Sequence, residues 1–319
     1  MKFFLRLVLA VGMSVGVACV CAQYPDRPLK LIVPFAPAGT VDGIARLFAS
    51  EFSKNVGQTV VVENKAGSGG VLGIVAASTA PADGYTLLLG NIATASSPAL
   101  YPKMGVNLKL LDPITLIGRS AYVLVVRNDL PSKNLNELIA FLKANPGKYN
   151  YASAGAGSAI HLAAELFKSK AMVDMLHVPY KGAGPAMNAL FSSDVEMMFG
   201  SVSELKPHII AKKMRPMAVT SLNRSSALPE VPSFAESGIK DYDVPGWYGV
   251  YVPVRTPVDV LKRLRDAADV TLKSAGLQQL LKRYDMEPVL GGPREAGELL
   301  DTEARRWSEV INKANITAE

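Results

Sequence analysis

Short apolar runs alternate with helical periods along most of the chain, the pattern of an α/β protein whose strands are covered by helices. Leu29 to Phe35 reads as a strand, after which Val41, Ile44, Ala45, Phe48 and Phe52 recur at helical spacing. Val60 to Glu63 is the next strand, a Gly/Ala-rich helix follows from Gly70 to Thr79, and Asp83-Gly84 turns the chain into a strand at Tyr85 to Leu89. The alternation restarts after Leu111-Asp112-Pro113. Strands are predicted at Ala121 to Val126, Tyr149 to Ala152, Met175 to Val178, Val195 to Phe199 and Met214 to Thr220, with helices over Leu135 to Lys143, Ser158 to Lys168 and Pro185 to Phe191. Asn134 with Glu137 spells a capping box for the first of those helices, and Asn145-Pro146-Gly147 stops it. One last strand, Tyr248 to Val252, precedes helices at Val258 to Lys273 and Glu295 to Lys313.

The closing helices have few strands of their own to cover, so they are expected to pack back on the first sheet. The second series then becomes an insertion: lobe 1 comprises residues 23–123 and 252–319, and lobe 2 residues 124–251. The chain crosses near Val123 and again over Trp247 to Val252, and two crossings between two lobes make a hinge. A length of 319 residues with 49% hydrophobic and 19% charged residues is consistent with two such lobes and excludes a disordered chain or a disulfide scaffold.

The start of the chain changes the composition. Lys2 and Arg6 precede an apolar run from Leu7 to Ala18, and Val20-Cys21-Ala22 offers small residues before Gln23, the form of a cleavable export signal over residues 1–22. The run is shorter than the roughly 20 apolar residues that span a bilayer. Cys19 lacks the Leu usual three positions before a lipidated cysteine, so lipid anchoring is the lesser alternative. Both cysteines fall within this leader, and the exported chain is expected to carry no disulfide, thiolate metal site or cysteine nucleophile. Removing Lys2 and Arg6 lowers the formal charge from +6 to +4. The densest basic groups, Arg263 with Arg265 and Arg305-Arg306, sit among acids on helical patterns, so nucleic acid is not an expected partner.

Two loops stand out. Pro34-Phe35-Ala36-Pro37-Ala38-Gly39-Thr40-Val41-Asp42 and Tyr151-Ala152-Ser153-Ala154-Gly155-Ala156-Gly157-Ser158 each follow a strand, end in Ala-Gly-Thr/Ser and open a helix. Thr40 and Ser158 are natural N-caps, glycine permits close approach of a ligand to the backbone, and a helix N-terminus presents unpaired N–H donors. The loops are either carboxylate cradles or ordinary tight turns between strand and helix. Further polar groups at strand ends are Asn91, Thr94, Tyr180-Lys181-Gly182 and Ser201, where open α/β sheets hold ligands.

Catalytic motifs fail on inspection. Gly67-Ser68-Gly69-Gly70-Val71-Leu72 places Leu72 where a dinucleotide fingerprint requires glycine, and Ala156 and Ile160 stand where a nucleophile elbow around Ser158 requires glycines. His161, His177 and His208 are too dispersed for a paired zinc motif, so neither a metal nor another cofactor is expected. The enzymatic alternative is an exported serine hydrolase using Ser158 and His161.

The chain resembles the periplasmic solute receptors of tripartite tricarboxylate transporters, the Bordetella uptake gene (Bug) family. The resemblance rests on Tyr24-Pro25-Asp26-Arg27-Pro28, Val33-Pro34-Phe35 with Gly39 and Asp42, Glu63-Asn64-Lys65-Ala66-Gly67, Ala82-Asp83-Gly84-Tyr85-Thr86-Leu87, Gly157-Ser158 with His161, His177-Val178-Pro179-Tyr180-Lys181-Gly182, and Ala227-Leu228-Pro229-Glu230-Val231-Pro232. It implies a two-lobed, flytrap-like periplasmic receptor, each lobe a mixed, mostly parallel sheet flanked by helices, and no enzymatic activity. Such a receptor closes as a monomer on a small organic mono-, di- or tricarboxylate, aromatic acids included, and delivers it to a two-subunit membrane permease. A role as a sensor presenting the closed form to a signalling partner stays open beside transport.

The resemblance places Phe35, Ala38, Gly39 and Thr40 on one wall of the ligand site, and Gly157, Ser158 and His161 on the other. Asn91 and Ser201 fall nearer the variable end, and Asp42 starts the first helix and orders its loop. Ala38 departs from the paired glycines usual in the family. The absence of an acid at Gly200-Ser201 favours a ligand without an amino group.

Overall fold

The computed structural model describes residues 24–318; the expected leader, with Cys19 and Cys21, lies outside the described residues. The first lobe opens with β1 (Leu29–Val33), α1 (Thr40–Val56), β2 (Val60–Asn64), α2 (Val71–Ser78), β3 (Thr86–Gly90), α3 (Ile92–Leu100) and β4 (Leu111–Ser120). The second contains β5 (Tyr122–Val126), α4 (Leu135–Ala144), β6 (Asn150–Ser153), α5 (Ala159–Ala171), β7 (Leu176–Pro179), α6 (Ala183–Phe191), β8 (Met197–Ser201), α7 (Val202–Ile210) and β9 (Arg215–Val219). The chain then returns through β10 (Gly246–Pro253), α8 (Val258–Lys273), α9 (Ala275–Arg283), β11 (Glu287–Gly291) and α10 (Pro293–Lys313).

Each lobe is built on one mixed sheet, with strand orders β11-β4-β10-β3-β1-β2 and β7-β6-β8-β5-β9. Parallel pairing joins β1 to β2 and β3, and β6 to β7 and β8, while β10, β11, β5 and β9 pair antiparallel. The parallel share is thus smaller than the alternating pattern suggests, because the crossing strands must run against their neighbours.

Side-chain alternation explains why the strands of the first sheet read as continuous apolar runs. Leu29, Leu31 and Val33 face the cluster that holds Phe48 and Phe52 of α1 and Leu264 of α8, whereas Ile32, Leu88 and Tyr251 join the opposite cluster with Ile74 of α2 and Trp307 of α10. Both faces are buried. α8 packs on α1 and β4, and α10 on α3 and β4.

From Gly246 onward β10 is hydrogen-bonded between β3 and β4 of the first sheet. At the other crossing, β4 ends at Ser120 and β5 enters the second sheet at Tyr122. Thr220 ties the two crossings together. Its N–H donates to Tyr122 O at 2.9 Å, its hydroxyl donates to Val244 O at 2.8 Å, and that hydroxyl accepts Tyr122 N–H at 3.0 Å.

Candidate functional site

The lobes meet across a cleft at the carboxyl ends of β1, β3, β6 and β8. Thr40 Oγ1 on the first lobe lies 2.8 Å from Ser201 Oγ on the second, and Tyr101 OH donates to Ala156 O at 2.9 Å. Lys206 and Asp285 form a further ion pair between the lobes at 3.2 Å. Thr40 and Ser201 border a cavity of about 100 Å³.

Its walls are two helix starts. In α1 the first intrahelical bond at this end is Gly43 N–H to Gly39 O, and among the described residues no acceptor is found for the N–H groups of Thr40 and Val41. In α5 Leu162 N–H reaches Ser158 O and His161 N–H reaches Ser158 Oγ at 3.4 Å, leaving Ala159 and Ile160 N–H without an acceptor among the described residues. All four of these residues line the cavity. Unpaired first-turn donors carry the positive end of the helix dipole, chemistry that suits an anion. Gly182, Ala183 and Gly184 bring a third helix start, that of α6, to the same cavity.

Each wall is braced from behind. The Asp42 carboxylate accepts from Ala38 N–H at 3.0 Å, Arg46 Nε at 2.9 Å and Asn64 Nδ2 at 2.9 Å. Burial works against its charge, but these bonds outweigh burial and hold the carboxyl below its ordinary range. Behind the second wall, Gly157 N–H donates to His161 Nδ1 at 3.1 Å, which fixes the neutral imidazole with its proton on Nε2. His161 stacks on His177 with ring centroids 4.1 Å apart, and Ser153 Oγ lies 2.6 Å from His177 Nε2. Burial, with a contribution from the Lys168 charge, lowers the His161 pKa to about 4; burial and the facing His161 lower that of His177 to about 3.

The cavity lining therefore includes Phe35, Ala38, Gly39, Thr40, Asn91, Ser158 and Ser201 of the expected residues. Asp42, Gly157 and His161 lie behind the lining: the carboxylate and the imidazole are engaged by the loops they order, and the Gly157 N–H is taken by His161. Ser158 Oγ has no bond to the His161 ring, so the pair lacks the nucleophile–base contact that a serine hydrolase needs. Asn91 caps α3, its Oδ1 accepting from Ala93 N–H at 3.0 Å.

Ala38 adopts φ 70, a left-handed conformation that suits the glycine usual in the family. Gly39 is the reverse case. At φ −87 and with no heavy atom within 4 Å of the place a Cβ would take, nothing in the surrounding protein demands glycine there.

Sequence reasoning missed Tyr122, Ile160 and Glu204. Tyr122 and Tyr248 are at the crossing strands, and their buried hydroxyls have raised pKa values, burial being the main cause. Glu204 is the one charged side chain among the described lining residues. It accepts hydrogen bonds from Thr40 at 3.3 Å and Ser201 at 3.5 Å, and burial pushes its pKa up against those bonds. Ser201-Val202-Ser203-Glu204 spells Ser-x-x-Glu, a helix-start signal that marks α7 in the sequence.

Residues 44–316 match the family model described as tripartite tricarboxylate transporter family receptor. Protein BugT of Bordetella pertussis is 32% identical over 316 residues, covering 97% of each chain. The solved structure of the periplasmic binding protein BugD is 33% identical with a TM-score of 0.87, covering 93% of this chain and all of its own. An R. palustris protein solved with adipate is 31% identical with a TM-score of 0.86, covering 92% of this chain and 99% of its own.

Proposed function

The chain belongs to the tripartite tricarboxylate transporter family of receptors, periplasmic solute-binding proteins of the Bug type, and from this premise we propose that its cleft captures a small organic carboxylate for a two-subunit membrane permease. The observation that carries this reading is the pairing of two helix starts, Thr40-Val41 and Ala159-Ile160, whose free N–H groups line one cavity with no cationic side chain among its described lining residues. Charge-assisted N–H bonds are shorter and roughly twice as strong as neutral ones, so a carboxylate is held without lysine or arginine. Phe35, Ile160 and Ala154 supply the apolar surface for the ligand's carbon skeleton. The relative solved with adipate fits a ligand of this class.

Lobe 1 on this reading comprises residues 24–120 and 246–318, and lobe 2 residues 121–245, with closure about the Thr220-tied crossings. Capture without chemistry is the expected behaviour. A thermal-shift screen of unfolded and refolded protein against mono-, di- and tricarboxylates tests it. Ligand at 100 times its dissociation constant adds about 2.7 kcal/mol, a rise of roughly 5 °C or more for a protein of this size. No shift with any acid, adipate included, contradicts the reading.

A further inference from the structure

Gly67-Ser68-Gly69-Gly70, which fails as a dinucleotide fingerprint, lies where the lobes touch. Gly69 approaches Ala156 of the second lobe so closely that a methyl group built on its Cα would overlap Ala156 O. Tyr101, at the C-terminal end of α3, donates its hydroxyl to the same oxygen at 2.9 Å, and burial raises the Tyr101 pKa, which keeps that proton in place. Gly157 makes the reciprocal approach: a Cβ there would stand 2.6 Å from Leu100 Cδ2 of the first lobe. The carbonyl of Ala156 and the N–H of Gly157 are the two ends of one peptide group, and the N–H end is held by His161 Nδ1 at 3.1 Å. One lobe thus holds the carbonyl and the other the N–H.

A peptide group is planar, so fixing its carbonyl fixes the direction of its N–H. Gly155 and Gly157, at φ 118 and 79, give the loop the freedom to turn this peptide unless both of its ends are tied. A carbonyl that accepts a hydrogen bond also polarises its own N–H, so the Tyr101 bond strengthens the His161 brace. Neither Tyr101 nor Gly69 is among the described lining residues of the ligand cavity; with Ala156 they border a neighbouring cavity of about 440 Å³. We propose that Tyr101 and Gly69 form a latch that grips the Ala156–Gly157 peptide when the lobes close, so that Tyr101 is a positioning residue for capture, acting through the second wall and not on the ligand. This rests on the carboxylate-receptor reading and adds to it how closure holds the second wall's donors in place. The latch bond crosses the lobes and forms only after they meet, so it delays release without speeding encounter.

Rapid-mixing kinetics of refolded protein with succinate, adipate and citrate test the latch. Tyr101→Phe, which keeps the ring and removes the hydroxyl, is expected to raise the dissociation rate of a bound acid about fivefold and to leave its association rate within about twofold. In the acid-saturated variant the Gly157 amide proton is expected upfield of its wild-type position, since its peptide carbonyl has lost a partner, while Ala38 N–H stays in place. Gly69→Ala, whose methyl takes the space of Ala156 O, is expected to raise the dissociation rate about tenfold or more. Gly238→Ala, also left-handed at φ 95 but with no heavy atom within 4 Å of the added methyl, is expected to leave both rates unchanged, and unfolding curves establish that all three variants fold. A dissociation rate in Tyr101→Phe that rises less than about twofold overturns the latch and leaves the receptor reading standing. So does a Gly157 resonance that does not move, or an equal effect of Gly69→Ala and Gly238→Ala. Failure of all three acids to bind the wild-type protein overturns both.

Discussion

The two walls of the cleft present the same groups, first-turn N–H donors of α1 and α5, but are braced by opposite chemistry. The first loop hangs on a carboxylate, Asp42, whose charge is matched by Arg46, Asn64 and Ala38 N–H. The second hangs on an imidazole, His161, which must stay uncharged to accept Gly157 N–H. A backbone donor needs only an acceptor, and an ionised acid or a neutral histidine provides one equally well. The two braces nevertheless respond differently to mutation and to pH.

The largest effect is expected from Asp42→Ala. It removes the acceptor for Ala38 N–H and one of two for Asn64 Nδ2, which keeps Phe35 O, and leaves Arg46 with Asn64 Oδ1 but no carboxylate, a destabilisation of about 2–3 kcal/mol. Denaturant unfolding measures it, and a loss under about 1 kcal/mol means that the first wall does not depend on this brace. Asp42→Asn, which keeps one acceptor, is expected to fall between.

Acid is expected to act on the second wall first. His161 has a pKa of about 4 in the fold against an ordinary value near 6.5, so the unfolded chain takes up its proton earlier as pH falls. Its contribution is complete above about pH 6.5 and is lost between there and pH 4, about 2 kcal/mol by pH 5. Asp42, with its carboxyl held low, keeps its contribution until the pH drops below the ordinary aspartate range. The protection factor of the Gly157 amide, its exchange rate relative to the intrinsic rate at the same pH, should therefore be lower at pH 5 than at pH 7.5, while that of Ala38 N–H is unchanged. His161→Asn, which offers an acceptor that does not titrate, is expected to remove about half of the pH dependence, the rest belonging to His177, whose pKa is lowered to about 3. Equal loss of protection in both loops at pH 5 breaks the distinction between them.

Gly39→Ala separates binding from folding. With no protein atom within 4 Å of the added methyl and an ordinary φ, stability is expected to change by less than about 0.5 kcal/mol, whereas carboxylate affinity falls about tenfold as the methyl narrows the cavity. Unchanged affinity places the ligand away from Gly39. Ala38→Gly is expected to act in the other sense and least: relief of the left-handed strain exceeds the entropy lost, for a gain of about 0.5 kcal/mol in thermal unfolding.

These two loops were also the most legible part of the chain, because strand, glycine turn, cap and helix period all lie within one short stretch of sequence. Tertiary partners were less so. β10 reads as a strand from its own residues, but its place between β3 and β4 depends on pairing far along the chain. β4 was hidden by Pro113 near its start and by Gly118-Arg119 within it. α7 goes unread although Ser201-Val202-Ser203-Glu204 spells its start, because Pro207 sits inside the helix, and without α7 nothing in the sequence aims Glu204 at the cleft. Asp42 reads from the sequence as the residue that orders its loop, whereas His161 reads as a wall of the site and not as a brace, since the choice between touching a ligand and holding a loop is one of side-chain direction.

The central claim is that four backbone N–H groups, those of Thr40, Val41, Ala159 and Ile160, hold the ligand's carboxylate. Titrating ¹⁵N-labelled, refolded protein with a bound acid and following these amides by NMR tests it directly. The account predicts that all four proton resonances move downfield together and saturate at one ligand equivalent. Saturable binding that leaves the amides of either pair in place would contradict it.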